Sequence, residues 1–318
     1  MNSSENDIFS LPEQVTIPQA PPNFKSGFIG IIGRPNVGKS TLMNHLVGQK
    51  IAITSPVAQT TRNRLRGILT TPAAQLIFVD TPGIHKPHHQ LGKVIVQNAK
   101  IAIESVDVLL FVVDSTTQCG GGDRYIAELL QNSPTPVILG LNKVDQQPID
   151  SQPIDDSYAE LAVTHQWQTI KFSAKTGTNL PELQQLLIQH LEPGPYYYPP
   201  DLVTDQPERF IMGELIREQI LLLTKEEIPH SVAIAIDQVE ETPSITRVIA
   251  TINVERSSQK GIVIGKGGSM LKSIGSAARQ QIQKLIAGKV YLELFVKVRP
   301  KWRQSRIRLA ELGYRVEE

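Results

Sequence analysis

Gly27-Phe28-Ile29-Gly30-Ile31-Ile32-Gly33-Arg34-Pro35-Asn36-Val37-Gly38-Lys39-Ser40-Thr41 is the stretch from which the fold is read. A short apolar run, bounded by glycine, feeds a tight loop and then an amphipathic segment reaching Val47. That is the pattern of strand, loop and helix. Gly33 to Ser40 also fits the G-x-x-x-x-G-K-[ST] spacing, and it falls where the mechanism of that motif needs it, after a strand and before a helix. Glycines let successive backbone N–H groups curl toward phosphate oxygens at the positive end of a helix. Lys39 then serves the β- and γ-phosphates, and the Ser40 hydroxyl is a ligand for Mg²⁺.

Working outward, the same alternation continues through strands at Gln75 to Asp80, Val106 to Asp114, Val137 to Asn142 and Gln168 to Ser173. Helices fall near Leu91 to Glu104, Asp123 to Gln131 and Leu180 to His190, with one more between the last two strands. Strands alternating with helices predict a mainly parallel sheet covered on both faces. Three strand ends carry chemistry. Asp80-Thr81-Pro82-Gly83 can hold a metal-bound water and sense a γ-phosphate through the Gly83 amide. Asn142-Lys143-Val144-Asp145 places a carboxylate that can accept from N1–H and the 2-amino group of guanine, a pair of donors adenine lacks. Ser173-Ala174-Lys175 forms a loop that could close over the base. Each is weak alone; their order and strand-end placement together select GTP and GDP over ATP.

The alternation breaks at Pro193-Gly194-Pro195-Tyr196-Tyr197-Tyr198-Pro199-Pro200, read as a stiff linker or packed turn whose tyrosines serve packing. Beyond it a helix over Phe210 to Leu223 precedes strands at Ser231 to Glu240 and Ile245 to Glu255. Two helices around Gly265-Lys266-Gly267-Gly268, a strand at Val290 to Val298 and a closing helix from Trp302 to Leu312 complete the chain. A G-x-x-G loop in that order is the pattern of a type II KH domain. Ile264, Gly265, Lys266, Gly267 and Gly268, with Lys272 and Arg279 on the following helix, are the candidate RNA contacts, and single-stranded RNA is favoured because base reading needs splayed bases. Ile262, Val263 and Leu271 supply either an apolar groove or the core beneath it.

The expected division is a disordered tail over 1–24, a nucleotide-binding domain over 25–192, a linker over 193–207 and an RNA-binding domain over 208–318. The fold class is α/β, a P-loop domain with a mainly parallel sheet followed by an α+β type II KH domain. The total of 318 residues is about twice one usual domain. From Arg256 to Arg315 the chain carries 14 Lys or Arg against two acids, while the remainder is net acidic, although the whole is only +1. Such asymmetry suits either a polyanion partner for the C-terminal end or a basic solvated face without one; joined to the G-x-x-G unit, Lys297, Arg299, Lys301, Arg303, Arg306 and Arg308 read as an extension of a phosphate track. One cysteine, Cys119, excludes an internal disulfide and fits a reducing compartment. No apolar run approaches the roughly 18 residues of a spanning helix, so a cytoplasmic protein is expected.

From about Gly27 to Tyr314 the chain resembles the Era-type GTPases, in which a GTPase domain of the translation-factor-related class precedes a type II KH domain. The resemblance implies that Gln59-Thr60-Thr61-Arg62-Asn63 is a switch whose Thr61, rather than Thr60, ligates Mg²⁺ in the GTP state. It implies that Asn36 matches a position binding a monovalent cation such as K⁺; a purely turn-shaping Asn36 is the other reading. It further implies the 3′ end of small-subunit ribosomal RNA in an assembling 30S particle as partner, and it is compatible with weak peripheral contact at the inner face of the cell membrane. A monomer is expected. Ile84 stands where many signalling GTPases place a water-orienting glutamine, so hydrolysis leans on Lys39, Thr61, Gly83 and Mg²⁺ and should be slow. His85, His88 and His89 read as solvated side chains. A tandem GTPase would need a second nucleotide domain, a dynamin-like one a long stalk, and a vestigial fold would be expected to lose Lys39, Ser40 or Asp145.

Overall fold

The computed structural model describes residues 17–55, 65–80, 97, 101, 103–131, 133–286 and 288–314. Within them the chain builds one six-stranded and one three-stranded sheet. The first half runs β1 (Lys25–Ile32), α1 (Lys39–Val47), β2 (Leu65–Thr70), β3 (Ala74–Asp80), β4 (Val108–Asp114), α2 (Gly121–Leu130), β5 (Val137–Asn142), α3 (Gln152–His165), β6 (Gln168–Lys171) and α4 (Leu180–Gln189). Strand order is β2-β3-β1-β4-β5-β6, with only β2 antiparallel to its neighbour. The chain goes from β1 to one side and then crosses back over it to β4. This places a ligand crevice at the carboxyl ends of the central strands.

Continuous burial of β3 and β4 follows from cover on both faces. One face packs α1 and α4 through Leu42, Met43, Leu183 and Leu187, and the other packs α2 and α3 through Ile126, Leu130 and Tyr158. The sequence reading gave no strand at residues 65–70. Gly67 interrupts the β-branched pattern there, and it does so because a Cβ would lie 2.9 Å from Met43 and Val47 on α1. The anticipated helix near Leu91 to Glu104 lies for the most part outside the described residues, as do residues 1–16 of the tail expected over 1–24; Phe24, at the end of that stretch, is buried.

The first unit closes on itself. Lys25 bridges Pro193, its ammonium donates to the carbonyls of Ile188 and Gln189, and Gly194 N–H donates to the Phe24 carbonyl at 2.9 Å. The linker is packed rather than free: Tyr196 meets Phe24 at 4.4 Å between centroids, and Tyr197 meets Phe28 at 5.3 Å. The buried Gln75 amide accepts from the N–H groups of Tyr197 and Tyr198 and donates to the Tyr198 carbonyl. Further on, Ile68 N–H donates to the Val203 carbonyl, and Arg66 pairs with Asp205 at 2.6 Å, so the linker covers the open edge of β2.

The second unit holds α5 (Glu208–Leu223), α6 (Ile228–Ser231), β7 (Ala233–Glu241), β8 (Thr246–Val254), α7 (Ser257–Ile264), α8 (Ser269–Leu285), β9 (Val290–Val298) and α9 (Arg306–Glu311). β7 and β8 are antiparallel, and β8 and β9 parallel. Leu215, Ile216 and Ile220 of α5, Val263 of α7 and Ile274, Ala278 and Ile282 of α8 form one core on the sheet. The anticipated helix from Trp302 to Leu312 is interrupted. Trp302 is buried and donates its indole N–H to the Ser231 carbonyl at 3.0 Å, which turns the chain through a short 3-10 turn before Ser305 caps α9. The strand expected from Ser231 begins at Ala233 because Ser231 ends α6.

Candidate functional site

The loop after β1 is shaped by close approach. Gly38 has φ 98°, and a Cβ there would lie 2.3 Å from Asn142 Nδ2, so only glycine fits. Lys39 is buried and donates to the carbonyls of Gly33 at 3.1 Å and Arg34 at 2.9 Å. Burial lowers its pKa to about 8, against the opposing pull of Asp80. A buried ammonium at a helix start, held on its own loop, fits a phosphate counter-charge. Ser40 Oγ donates to Asp80 Oδ2 at 2.8 Å. A hydroxyl and a carboxylate so juxtaposed are hard oxygen donors of the kind Mg²⁺ takes. Thr41 follows on α1 and borders a shallow cleft with His45 and Lys175.

Asn142 joins three loops. Its Nδ2 donates to the Val37 carbonyl at 2.7 Å, and its Oδ1 accepts from the N–H groups of Lys143 and Ala174, both at 2.8 Å. Beside it, Ser173 Oγ donates to Asp145 Oδ1 at 2.6 Å, and this bond holds the Asp145 carboxyl below its ordinary value. Asp145 is exposed, presenting a charged acceptor to whatever docks there. Lys143 pairs with Asp114 at 2.6 Å. Burial pushes Asp114 up, but hydrogen bonds from Lys143 and Thr116 outweigh it and leave the carboxyl below its usual range.

Sequence reasoning missed several supports. Arg34 pairs with the wholly buried Asp123 of α2 at 2.7 Å, bracing the phosphate loop. His45 Nδ1 lies 3.0 Å from the Ala174 carbonyl. Asp114 could have been found from its strand-end position; Asp123 and His45 carry no local signal. Asn36 has φ 65°, a left-handed turn that by itself suits asparagine. Pro35 completes that turn. Thr60, Thr61, Thr81, Pro82, Gly83, Ile84, His85, His88 and His89 lie outside the described residues.

In the second unit, Gly265 takes φ 73°, and a Cβ there would come within 2.7 Å of Met270, so the loop can turn only on glycine. Lys266 and Gly267 stand at its tip, and Gly268 opens α8. Lys272 and Arg279 of α8 share a cleft of about 380 Å³ with Leu271, Leu292 and Leu294. The cations suit phosphates, and the leucines suit base faces. Leu292 and Leu294 were not anticipated, although strand alternation puts them on the helix-facing side. Val263 is core and Ile262 is exposed, while Ile264 is half-buried just before the loop. Of the closing cations, Arg299 pairs with Glu311 at 2.9 Å and Arg303 with Glu255 at 2.5 Å.

A P-loop sheet with guanine-type strand-end loops, followed by a G-x-x-G unit, defines a GTPase joined to a KH module. A family model described as 50S ribosome-binding GTPase matches residues 28–143, and a KH domain model matches residues 227–303. GTPase Era of Nostoc sp. strain PCC 7120 is 82% identical over 316 residues, spanning 99% of this chain and 98% of that protein. Era of Aquifex aeolicus, solved as a variant bound to GDP·AlF₄⁻, is 39% identical with TM-score 0.87, covering 92% of this chain and 99% of that one. A solved complex of Era with MgGDPNP and nucleotides 1506–1542 of 16S ribosomal RNA is 38% identical with TM-score 0.88 and the same coverages. The chain belongs to the Era family of GTPases.

Proposed function

We propose that this chain is a slowly hydrolysing, GTP-dependent assembly factor that binds the 3′ region of 16S ribosomal RNA through its KH domain during 30S maturation, with the GTP state controlling engagement. The observation that carries this reading is the linked set Asn142, Asp145 and Ser173 at the sheet end that also holds Lys39 and Ser40. Asp145 takes the two guanine donors; Asn142, Lys143, Ser173, Ala174 and Lys175 frame the base. Gly33 to Gly38 would cradle the phosphates, Lys39 would compensate their charge, and Ser40 with Thr61 would hold Mg²⁺, Asp80 accepting from the Ser40 hydroxyl in the structure as it stands. When bound, Mg²⁺ neutralises charge developing on the β- and γ-oxygens. Thr81, Pro82 and Gly83, which lie outside the described residues, would supply a backbone donor for the γ-phosphate, and Asn36 would hold K⁺.

The solved Era complexes with a transition-state analogue and with 16S RNA support both halves of the reading. The large-subunit description belongs to a match on the nucleotide unit alone. Domain limits at 25–192, 193–207 and 208–318, a monomer and a cytoplasmic location with weak peripheral membrane contact through the basic end belong to the same proposal. Among the described residues no helix is long and apolar enough to cross a membrane. Competition against a fluorescent GDP analogue tests the nucleotide half: GTP displaces it and ATP does not, and equal displacement would remove the assignment. Titration of an oligonucleotide of nucleotides 1506–1542 tests the RNA half.

A further inference from the structure

A carboxylate from the second unit is buried in the first. Glu218 of α5 is 2% exposed, accepts from Lys50 Nζ at 2.5 Å through Oε2 and accepts from Thr54 N–H at 2.9 Å through Oε1. Between those two contacts, Ile53 enters the apolar core of the second unit. The same stretch is held from its other side by the phosphate-binding helix: Asn44 of α1 accepts from the N–H groups of Ile51 and Ala52 and donates to the Ala52 carbonyl at 2.7 Å. Asn44 lies one turn beyond Ser40 on α1, and α5 packs directly against α8, the helix that opens at the G-x-x-G loop.

We propose that Glu218 is a positioning residue that couples the two ligand sites, fixing residues 50–54, and through Asn44 the phosphate-binding helix, in one register against the RNA-facing helix α8. Adhesion alone would be served by Ile53. A buried carboxylate is costly to desolvate unless its donors are in place, so it favours one arrangement over neighbouring ones rather than strengthening contact in general. Both ligands then act on the same element: RNA in the cleft beside α8 biases the position of α5, and phosphate at Lys39 biases α1. This deepens the functional reading above and rests on it.

The test is linkage in the full chain. The Kd for GDPNP is measured with and without saturating oligonucleotide of nucleotides 1506–1542. Its ratio in the unmodified protein is expected at about tenfold, and by reciprocity the RNA Kd with and without GDPNP must give the same factor. Glu218→Ala is expected to bring that factor within about twofold of one; Glu218→Gln, which keeps an acceptor for Thr54 N–H but not for Lys50, to leave it between. A merely structural role would lower the melting temperature and leave the factor intact. A wild-type factor of one, or wild-type factors in both variants, overturns the proposal. If the unmodified protein does not bind the oligonucleotide at all, the RNA reading itself fails and the proposal falls with it. Should Glu218→Ala not fold, Glu218→Gln alone decides.

Discussion

The ammonium of Lys39 lies within reach of two backbone carbonyls, and burial holds its pKa near 8, well below that of a lysine in water. Because the folded value is depressed for a base, the free protein gains stability as pH rises from about 8 toward the unfolded lysine value near 10.4. Phosphate has the opposite preference, for the charged form. GDP binding is therefore expected to take up a proton above pH 8 and to weaken as pH rises through that region. Calorimetry in buffers of different ionisation enthalpy reads the proton directly, and binding heats independent of buffer at pH 8.5 would refute it. At Asp145, the proposed pairing with two guanine donors predicts that Asp145→Asn weakens GTP and GDP by about 1.5–3 kcal/mol. Titration of fluorescent nucleotide measures this, and an unchanged Kd would sink the assignment. These residues were legible because their chemistry is written in short spacings. Asp123, which braces Arg34 from 89 positions away, was not, since nothing adjacent to it marks the contact.

Among elements, the loop between α7 and α8 carries the clearest expectation. Lys266→Asp with Gly267→Asp places two negative charges at its tip, and position 267 has φ 58°, a backbone that side chains rarely adopt. RNA affinity should fall by two orders of magnitude or more while GDP affinity is kept, and in the unmodified protein log affinity should fall with log salt at about −0.7 per phosphate neutralised. Wild-type RNA binding by the double variant would move the site to the basic C-terminal end. At this scale the sequence reading matched the structure's bounds at Val137 to Asn142 and Val290 to Val298, where period and punctuation agree. It failed at β2, where helix packing requires Gly67, and at the closing helix, where a tertiary bond from Trp302 overrides local propensity.

For the whole molecule, orientation of the two units rests on groups far apart in sequence. Gln75 is fully buried, and its amide fixes the backbone of Tyr197 and Tyr198. Gln75→Leu removes that acceptor and leaves two N–H groups seeking partners, at about 1–3 kcal/mol for each that stays buried. The expected outcome is a lower melting temperature together with faster proteolysis within residues 193–200. Wild-type resistance there would show that ring packing alone secures the linker. Glu218 and Gln75 were invisible to sequence reading for one reason: each satisfies backbone groups more than 100 residues away, and residue type reports no such distance.

The pairing of residues 24–26 with 192–194 has an evolutionary corollary. Because entry and exit of the nucleotide unit lie side by side, a gene segment encoding it can be cut out and spliced elsewhere without stretching either end. New carboxyl-terminal cargo can be attached at the same doorway, and joining the old ends by a short bridge would let the chain begin at a different surface loop with its sheet order intact. A KH module fused at this point is thus one attachment among those the architecture admits.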